Sequence, residues 1–245
     1  MFLIELYKSL QGESSFSGLP CVFIRLAGCN LRCSWCDSEY TFKGGRKAAL
    51  QEVLAQVRQL SPNGGLVEIT GGEPMLQARE VVPLMQSLVD LHYTVLIETS
   101  GERPLADVPS SVHKIVDVKC PDSGEGNSFR LENLDALTRL DEIKFVISSR
   151  RDYEFARDFT RAHSLDNRVG SVIFSPAFRK DAGLKQPSNG DGSAYHLPSS
   201  SDPRTAAHCL LDPQLLAEWI LADSLPVRLG FQIHKFIWNP ATKGV

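Results

Sequence analysis

A chain of 245 residues, 42% of them hydrophobic, is long enough to bury roughly 70 to 75% of its unfolded surface in one domain. Its 26 basic and 29 acidic residues leave a net charge of −3, which argues against nucleic acid or a membrane as the main partner. We expect no signal peptide, because no basic segment precedes an apolar one at residues 1–13. No apolar run reaches the ~18 residues of a membrane helix. These features predict a cytoplasmic protein.

Apolar alternating runs and helical patterns take turns along the chain, as in βα units around a parallel sheet. The alternating runs predict strands at residues 2–7, 22–26, 66–70, 94–99, 114–118, 142–147, 171–174 and 227–233. Apolar stripes at helical spacing predict helices at residues 47–60 and 78–91. Asp212 followed by Pro213 predicts another helix at 212–222. The predicted fold class is α/β, an incomplete TIM-type barrel of parallel strands with outer helices.

Residues 178–209 do not fit this alternation. The segment is polar and rich in Gly, Pro, Ser and Asp. Such a composition predicts a long loop or lid attached to a single domain that spans residues 1–245. A disordered insertion without a role fits the same composition equally well.

A CxxxCxxC motif consists of Cys29, Cys33 and Cys36. Three thiolates this close can bind three irons of a four-iron cluster, and the fourth iron then stays open to a ligand from outside the chain. A structural zinc site and an electron-transfer cluster are the alternatives, and both normally have four protein ligands. The other cysteines stand singly at positions 21, 120 and 209, which disfavours both alternatives and also a disulfide framework.

The cysteine spacing resembles that of the radical S-adenosylmethionine (SAM) superfamily. The resemblance implies that SAM chelates the open iron and is cleaved reductively to a carbon radical. A Gly-Gly-Glu-Pro turn at residues 71–74 matches the element with which these enzymes hold the SAM amino group. For an isolated Gly-Gly pair, the alternative is a tight turn that needs glycine for its dihedral angles.

In such a barrel, functional groups collect where the strands end. The turn at 71–74 has no side chain at its first two positions, so a ligand can approach its backbone. The SAM contacts implied by the resemblance are Gly72, Glu73, Ser100, Lys119, Cys120 and Pro121. A strand-end cap for Ser100, an ion pair for Lys119 and a structural thiol for Cys120 stay open as alternatives.

Segments outside the cysteine motif narrow the family. Residues 9–13 read Ser-Leu-Gln-Gly-Glu, residues 37–38 read Asp-Ser, and residues 232–235 read Gln-Ile-His-Lys. Together they resemble the 7-carboxy-7-deazaguanine synthase family over nearly the whole chain except residues 178–209. The resemblance implies a lyase that contracts the ring of 6-carboxy-5,6,7,8-tetrahydropterin with loss of ammonia, in queuosine and other deazapurine pathways.

The family resemblance also implies the substrate and magnesium contacts. The substrate residues are Leu10, Gln11, Gly12, Glu13, Arg25, Thr70 and Val245. The forked Arg25 guanidinium suits the substrate carboxylate, although a strand arginine in an ion pair is the alternative. Ser38 supplies a hydroxyl to Mg²⁺, with a helix N-cap or turn role as its alternative.

No side chain is predicted to be a catalytic residue, because the radical derived from SAM takes hydrogen from C6 of the pterin. The implied partners are a one-electron donor such as flavodoxin or ferredoxin and a second copy of the chain in a homodimer. Two rival functions remain: another radical SAM enzyme, such as a glycyl-radical activase, and a non-catalytic iron–sulfur electron carrier. The carrier requires a fourth protein ligand and no SAM turn, which disfavours it.

Overall fold

The computed structural model describes residues 1–180, 208–239 and 242–244. Its strands form one nine-stranded sheet in the order β3-β1-β2-β4-β5-β6-β7-β8-β9. Strand β1 is antiparallel to β2 and β3, and each later neighbour pair is parallel. The strands are β1 Phe2–Leu10, β2 Pro20–Leu26, β3 Arg46–Lys47, β4 Gly65–Gly71, β5 Tyr93–Thr99, β6 His113–Asp117, β7 Glu142–Ile147, β8 Ser171–Pro176 and β9 Arg228–Leu229.

Helices cover the outer face of this sheet. They are α1 Leu50–Leu60, α2 Ala78–Asp90, α3 Arg150–Ala162, α4 Leu165–Arg168 and α5 Pro213–Ala222. A sixth short helix, α6 His234–Ile237, lies against the loop after β1 instead. The edge strands β3 and β9 do not pair with each other, so the sheet is a partial barrel, as predicted. Among the described residues, no helix is long and apolar enough to cross a membrane.

The two faces of the sheet carry different side chains, because successive strand residues point to opposite faces. On the outer face, apolar strand residues pack on the buried stripes of α1 and α2. On the inner face, a small apolar cluster fills the bottom of the barrel and consists of Cys21, Phe23, Leu66, Leu96 and Ile115. The polar interior above it lies at the carboxyl ends of the parallel strands, where barrels of this kind place their sites.

The last predicted strand is wrong in most of its length. A strand was predicted at 227–233, but pairing stops after Leu229, and His234 begins the short helix α6. The Ile233 amide donates to the Gly12 carbonyl at 3.0 Å. This hydrogen bond draws the chain away from the sheet edge and across the top of the barrel.

The predicted loop at 178–209 lies mostly outside the described residues, which resume at residue 208. Its two ends are described and lie together. Phe178 and Cys209 form an isolated antiparallel bridge, and the Arg179 amide donates to the His208 carbonyl at 2.8 Å. The segment between them therefore leaves and returns at one point near the barrel mouth.

Candidate active site

A cavity of about 470 Å³ opens at the carboxyl ends of the parallel strands. Most of the predicted site residues line it, namely Leu10, Gln11, Gly12, Glu13, Arg25, Cys29, Cys33, Cys36, Ser38, Thr70, Gly72, Ser100 and Lys119. Glu73, Cys120 and Pro121 are not among its lining residues. Val245 lies outside the described residues.

The loop between β2 and β3, residues 27–45, carries the three motif cysteines and is called the cysteine loop. It forms one wall of the cavity. Its three thiols are free and partly exposed, and the Cys36 amide closes a turn on the Cys33 carbonyl at 3.2 Å. Two contacts anchor the loop to the segment after β6: Ser34 N donates to Ser123 O at 2.9 Å, and Arg32 N donates to the Glu125 carboxylate at 2.6 Å. The loop is thus held by the strand ends around it.

The Gly-Gly pair is required by the cysteine loop itself. A Cβ at Gly72 would lie 2.2 Å from Gly28 O and 2.7 Å from Cys29 Cβ, and Gly71 has a φ of +143°. The Glu73 amide donates to Gly28 O at 2.8 Å. The sequence predicted glycines that admit a ligand, whereas the closest neighbours are backbone and cysteine atoms. The missing side chains let the turn pack directly against the first cluster cysteine.

Glu73 is buried and organises the end of β5. Its carboxylate accepts from Thr99 Oγ1 at 2.7 Å, Ser100 N at 2.9 Å and Ser100 Oγ at 2.6 Å, and also from Met75 N at 3.0 Å. Four accepted hydrogen bonds occupy its lone pairs. Glu73 therefore acts on the cavity by fixing Ser100, and not through its own carboxylate. The Cys120 thiol is likewise buried, at 1% exposure.

A buried ion network, which the motifs did not reveal, lies below the cysteine loop. Lys144 on β7 is ion-paired with Glu13 at 2.7 Å, with Glu98, and with Asp117 at 3.8 Å. Lys119 pairs with Asp117 at 2.7 Å. Burial would raise the pKa of Glu13, but the charge of Lys144 outweighs it and holds that pKa well below its usual range. The network keeps Glu13 ionised at the cavity wall.

The loop after β1 is fixed by its own side chains. Gln11 Oε1 accepts from Glu13 N at 2.8 Å and Ser14 N at 3.0 Å, while its Nε2 donates to Glu68 at 3.0 Å. The family resemblance makes Gln11 a substrate residue. Most of the hydrogen-bonding capacity of its amide is instead spent on the loop, and the Gly12 carbonyl accepts from the Ile233 amide at 3.0 Å. The Gly12 N–H has no acceptor among the described residues and remains available to a ligand.

Arg25 takes part in the ion pair that was its alternative role. Its Nε donates to Glu5 at 2.8 Å and its Nη2 to the Tyr7 hydroxyl at 2.7 Å. Tyr40 also donates to Glu5, at 2.8 Å. The side chain lines the cavity, and its Nη1 group has no acceptor among the described residues. Arg25 is therefore oriented by Glu5 and Tyr7, and the N–H groups of its Nη1 remain available to donate to a ligand.

Comparison with known proteins decides the family. The model of the radical SAM superfamily matches residues 23–120. A 7-carboxy-7-deazaguanine synthase from Koribacter versatilis is 65% identical over 245 residues, 100% of both chains. The chain belongs to the 7-carboxy-7-deazaguanine synthase family. A synthase from Chlorobaculum tepidum is 38% identical over 98% of this chain and 96% of its own. QueE from Escherichia coli, at 24% identity, shares the fold with a TM-score of 0.66, over 94% of this chain and 93% of that one.

Membership of the 7-carboxy-7-deazaguanine synthase family confirms the predicted fold class and makes the protein a radical SAM enzyme. Its cofactors are a [4Fe-4S] cluster, SAM and Mg²⁺. The family assignment also removes both rival functions, the glycyl-radical activase and the electron carrier.

The residues present fit these cofactors. Cys29, Cys33 and Cys36 line one wall together, and burial raises the pKa of Cys33 to about 11, which nearby Lys119 opposes. Iron binding has to displace the thiol protons. In the part of the chain that the structure describes, no three His, Cys, Asp or Glu side chains converge on one metal ion. A four-iron cluster has a different requirement, one iron for each thiolate.

Ser38 fits a contact with Mg²⁺. It precedes a 3₁₀ turn at Glu39–Thr41, but its hydroxyl makes no capping hydrogen bond to that turn. The hydroxyl lies 3.8 Å from Cys36 Sγ and lines the cavity. One hydroxyl supplies a single ligand, so the other oxygens around the ion have to come from water and substrate.

Proposed function

We propose that this protein converts 6-carboxy-5,6,7,8-tetrahydropterin to 7-carboxy-7-deazaguanine with loss of ammonia, as a step towards queuosine or another deazapurine. The observation that carries the proposal is one cavity with two unlike walls. One wall consists of the three thiols of the cysteine loop. The other is the loop at 10–13 with Arg25, which offers hydrogen-bonding groups and a cation to a planar, carboxylated ligand.

On the cysteine side, Cys29, Cys33 and Cys36 hold the cluster, and Ser38 contributes to Mg²⁺. When bound, the cluster and SAM supply a carbon radical by one-electron reduction. Gly72, Ser100 and Lys119 line the cavity next to this wall and bind SAM. Glu73 keeps Ser100 in place through the two hydrogen bonds described above. Cys120 and Pro121 act only by shaping the turn behind Lys119.

On the opposite side, Arg25 binds the substrate carboxylate with its uncommitted Nη1 group. Glu13 is held ionised by Lys144 and accepts N–H groups of the pterin, while the backbone of Leu10 and Gly12 completes the edge. Thr70 adds a hydroxyl that donates to Glu98 at 3.3 Å. Fixing the ring in this way aims the hydrogen to be abstracted at the radical carbon and excludes water.

The proposal extends to partners and place of action. A flavodoxin or ferredoxin supplies the electron, the enzyme works as a homodimer in the cytoplasm, and residues 178–209 act as a lid. Support for the lid comes from its described start, because Phe178, Arg179 and Lys180 line the cavity. Lys180 also pairs with Glu39 of the cysteine loop.

The test is anaerobic reconstitution of the cluster, followed by reduction and addition of SAM, Mg²⁺ and 6-carboxytetrahydropterin. We expect 5′-deoxyadenosine and 7-carboxy-7-deazaguanine to appear together by mass spectrometry. Formation of 5′-deoxyadenosine alone would refute the substrate and leave the radical SAM assignment in place. If neither product forms although the cluster is fully loaded, the proposed reaction is contradicted.

A further inference from the structure

The carboxylates around the cavity differ in their cationic partners. Almost all of them are ion-paired: Glu13 and Glu98 with Lys144, Asp117 with Lys119, Asp37 with Lys235, and Glu39 with Lys180. Glu68, on β4, lines the same cavity and forms no ion pair among the described residues. Its one side-chain partner there is the neutral amide of Gln11, at 3.0 Å.

Glu68 is also deeply buried, at 2% exposure. A carboxylate taken out of water without a counter-charge is so costly that the group binds a proton instead. Burial and the adjacent negative charge of Glu98 together raise the pKa of Glu68 to about 8. Burial and the lack of an ion-pair partner thus favour the protonated, neutral form of Glu68 against the opposing charge of Lys144, in a cavity whose other carboxylates are paired.

The geometry leaves one oxygen of this acid available. Oε2 accepts the Gln11 amide, and that amide is held in place because its own oxygen accepts two backbone N–H groups. Oε1 has no hydrogen-bond partner among the described residues. Since Oε2 is an acceptor, the proton resides on Oε1, and Glu68 presents an O–H donor to whatever occupies the cavity.

The proposed reaction requires such a donor. A ring nitrogen of the tetrahydropterin carries one hydrogen, and ammonia carries three. The overall conversion is redox-neutral, so the hydrogen atom taken from C6 has to return to the rearranged ring before ammonia leaves. When the last C–N bond then breaks, the nitrogen keeps the electron pair and needs a proton, or it leaves as a poor, anionic group.

We propose that Glu68 is a catalytic acid that touches the pterin and protonates the departing ring nitrogen. The inference rests on the proposed function and assigns a step to a residue for which no motif gave a role. The C–N bond breaks with its electron pair on nitrogen, the Glu68 Oε1 proton moves to that nitrogen, and Glu68 becomes a carboxylate. A proton released when the product ring becomes aromatic restores the acid, so no oxidant or reductant enters this step.

The decisive variant is Glu68→Gln, which keeps the size and a hydrogen bond to Gln11 but has no acidic proton. With pterin deuterated at C6, we expect transfer of deuterium to the 5′ carbon of SAM or 5′-deoxyadenosine to continue near the wild-type rate, while release of ammonia and deazaguanine falls by about 10²-fold or more. Glu68→Asp, which keeps an acid, should recover part of the loss. Glu142→Gln is the matched control, because Glu142 is a buried barrel glutamate that pairs with His113 and does not line the cavity. It should leave the rate of ammonia release relative to that of deuterium transfer unchanged.

The pH dependence has a defined sign. The acid is active when protonated, so the rate of ammonia release relative to that of deuterium transfer from C6 should fall as the pH rises through about 8, and Glu68→Gln should lose this limb. The titratable groups that face Glu68 from the neighbouring elements are Tyr7, Cys21, Glu13, Glu98 and Lys144. Burial raises the pKa of both Tyr7 and Cys21, so neither gains a charge near pH 8.

An infrared measurement tests the protonation without turnover. Wild type at pH 7 should show a carboxylic acid C=O band that Glu68→Gln lacks and Glu142→Gln keeps. Absence of that band, or equal loss of deuterium transfer and ammonia release in Glu68→Gln, would overturn the assignment of the acid. A wild-type enzyme that leaves the pterin untouched while the band is present would overturn the proposed reaction, and with it this catalytic step.

Discussion

At the scale of single residues, Lys144 is a buried cation at the centre of an ion network. It is 2% exposed and faces three carboxylates. Removing one partner of a buried ion pair typically costs about 3–5 kcal/mol, because the remaining charge stays buried without compensation. We therefore expect Lys144→Met to lower the free energy of unfolding in urea by about that amount at pH 7. Lys43→Met, at an exposed position, is the control and should change it by less than about 0.5 kcal/mol.

The deficit of Lys144→Met should depend on pH. A carboxylate whose folded-state pKa is lowered contributes stability above its unfolded-state pKa, about 4.3 for glutamate, and loses it as the pH falls. Lys144 lowers the pKa of Glu13 in this way. The difference between wild type and variant should thus be full at pH 7 and smaller at pH 3. A deficit that grows in acid would contradict the network.

Cys33 tests the cluster assignment directly. Three thiolates hold three irons, so Cys33→Ala should fail to retain a complete four-iron cluster and lose the brown colour and SAM cleavage together. Cys120→Ala is the matched control, since that thiol is buried outside the cavity wall. Iron analysis and visible absorbance of the anaerobically reconstituted proteins give the answer. A full cluster in Cys33→Ala would show that this cysteine is not a ligand.

At the scale of elements, helix α6 rests on the loop after β1. A Cβ at Gly12 would lie 2.2 Å from His234 Nδ1, so Gly12→Ala has to push the two segments apart. Overpacking of this kind lowers the free energy of unfolding by roughly 1–3 kcal/mol. Because residues 10–13 form the proposed substrate wall, we also expect the displaced loop to raise the pterin KM. Cluster content should be unaffected.

The same clash provides its own control. The double variant Gly12→Ala/His234→Ala lacks the imidazole ring that the added methyl group would meet. Its pterin KM should therefore be lower than that of the single Gly12→Ala variant. Equal KM values in the single and double variants would mean that contact between these two elements does not shape the pterin site.

The strands were predictable from sequence because burial on both faces produces apolar runs, as in β4 and β5. Helix α3 was not predicted. Its core-facing side chains include Tyr153, Phe155, Ala156 and Phe159, but seven of its thirteen residues are charged. The apolar stripe is therefore narrow and lies in a mostly charged segment. The end of β9 was also missed, because a single long-range hydrogen bond to Gly12 decides it. Local patterns contain no information about such a contact.

The candidate site, like the fold, could be predicted from the sequence only in part. Motifs with fixed spacing placed the cysteine loop and the loop at 10–13 on one cavity. They did not reveal Glu68 or Lys144, which come together only when the strands are aligned. A signal was present: each is a charged residue at an inward position of an otherwise apolar strand. A buried charge requires a partner or a proton, so these positions could have been selected as site residues from the predicted strands.

At the scale of the whole molecule, segments far apart in the sequence meet over the cavity. Lys235 in α6 pairs with Asp37 of the cysteine loop at 2.6 Å, and Gln232 donates to Glu13 at 2.7 Å. Lys243 lies 4.2 Å from the centre of the Tyr40 ring. The last described residues therefore tie the cysteine wall to the substrate wall.

This connection leads from the tail to the predicted carboxylate-binding arginine. Lys243 packs on Tyr40, Tyr40 donates to Glu5, and Glu5 orients Arg25. Deleting residues 243–245 should free Tyr40 and raise the pterin KM or abolish turnover, while iron content and SAM cleavage without pterin stay intact. Lys243→Ala removes only the cation–π contact, worth about 0.5–1 kcal/mol, so its KM should rise by a smaller factor. Unchanged kinetics in the deletion variant would show that Arg25 keeps its orientation without the tail.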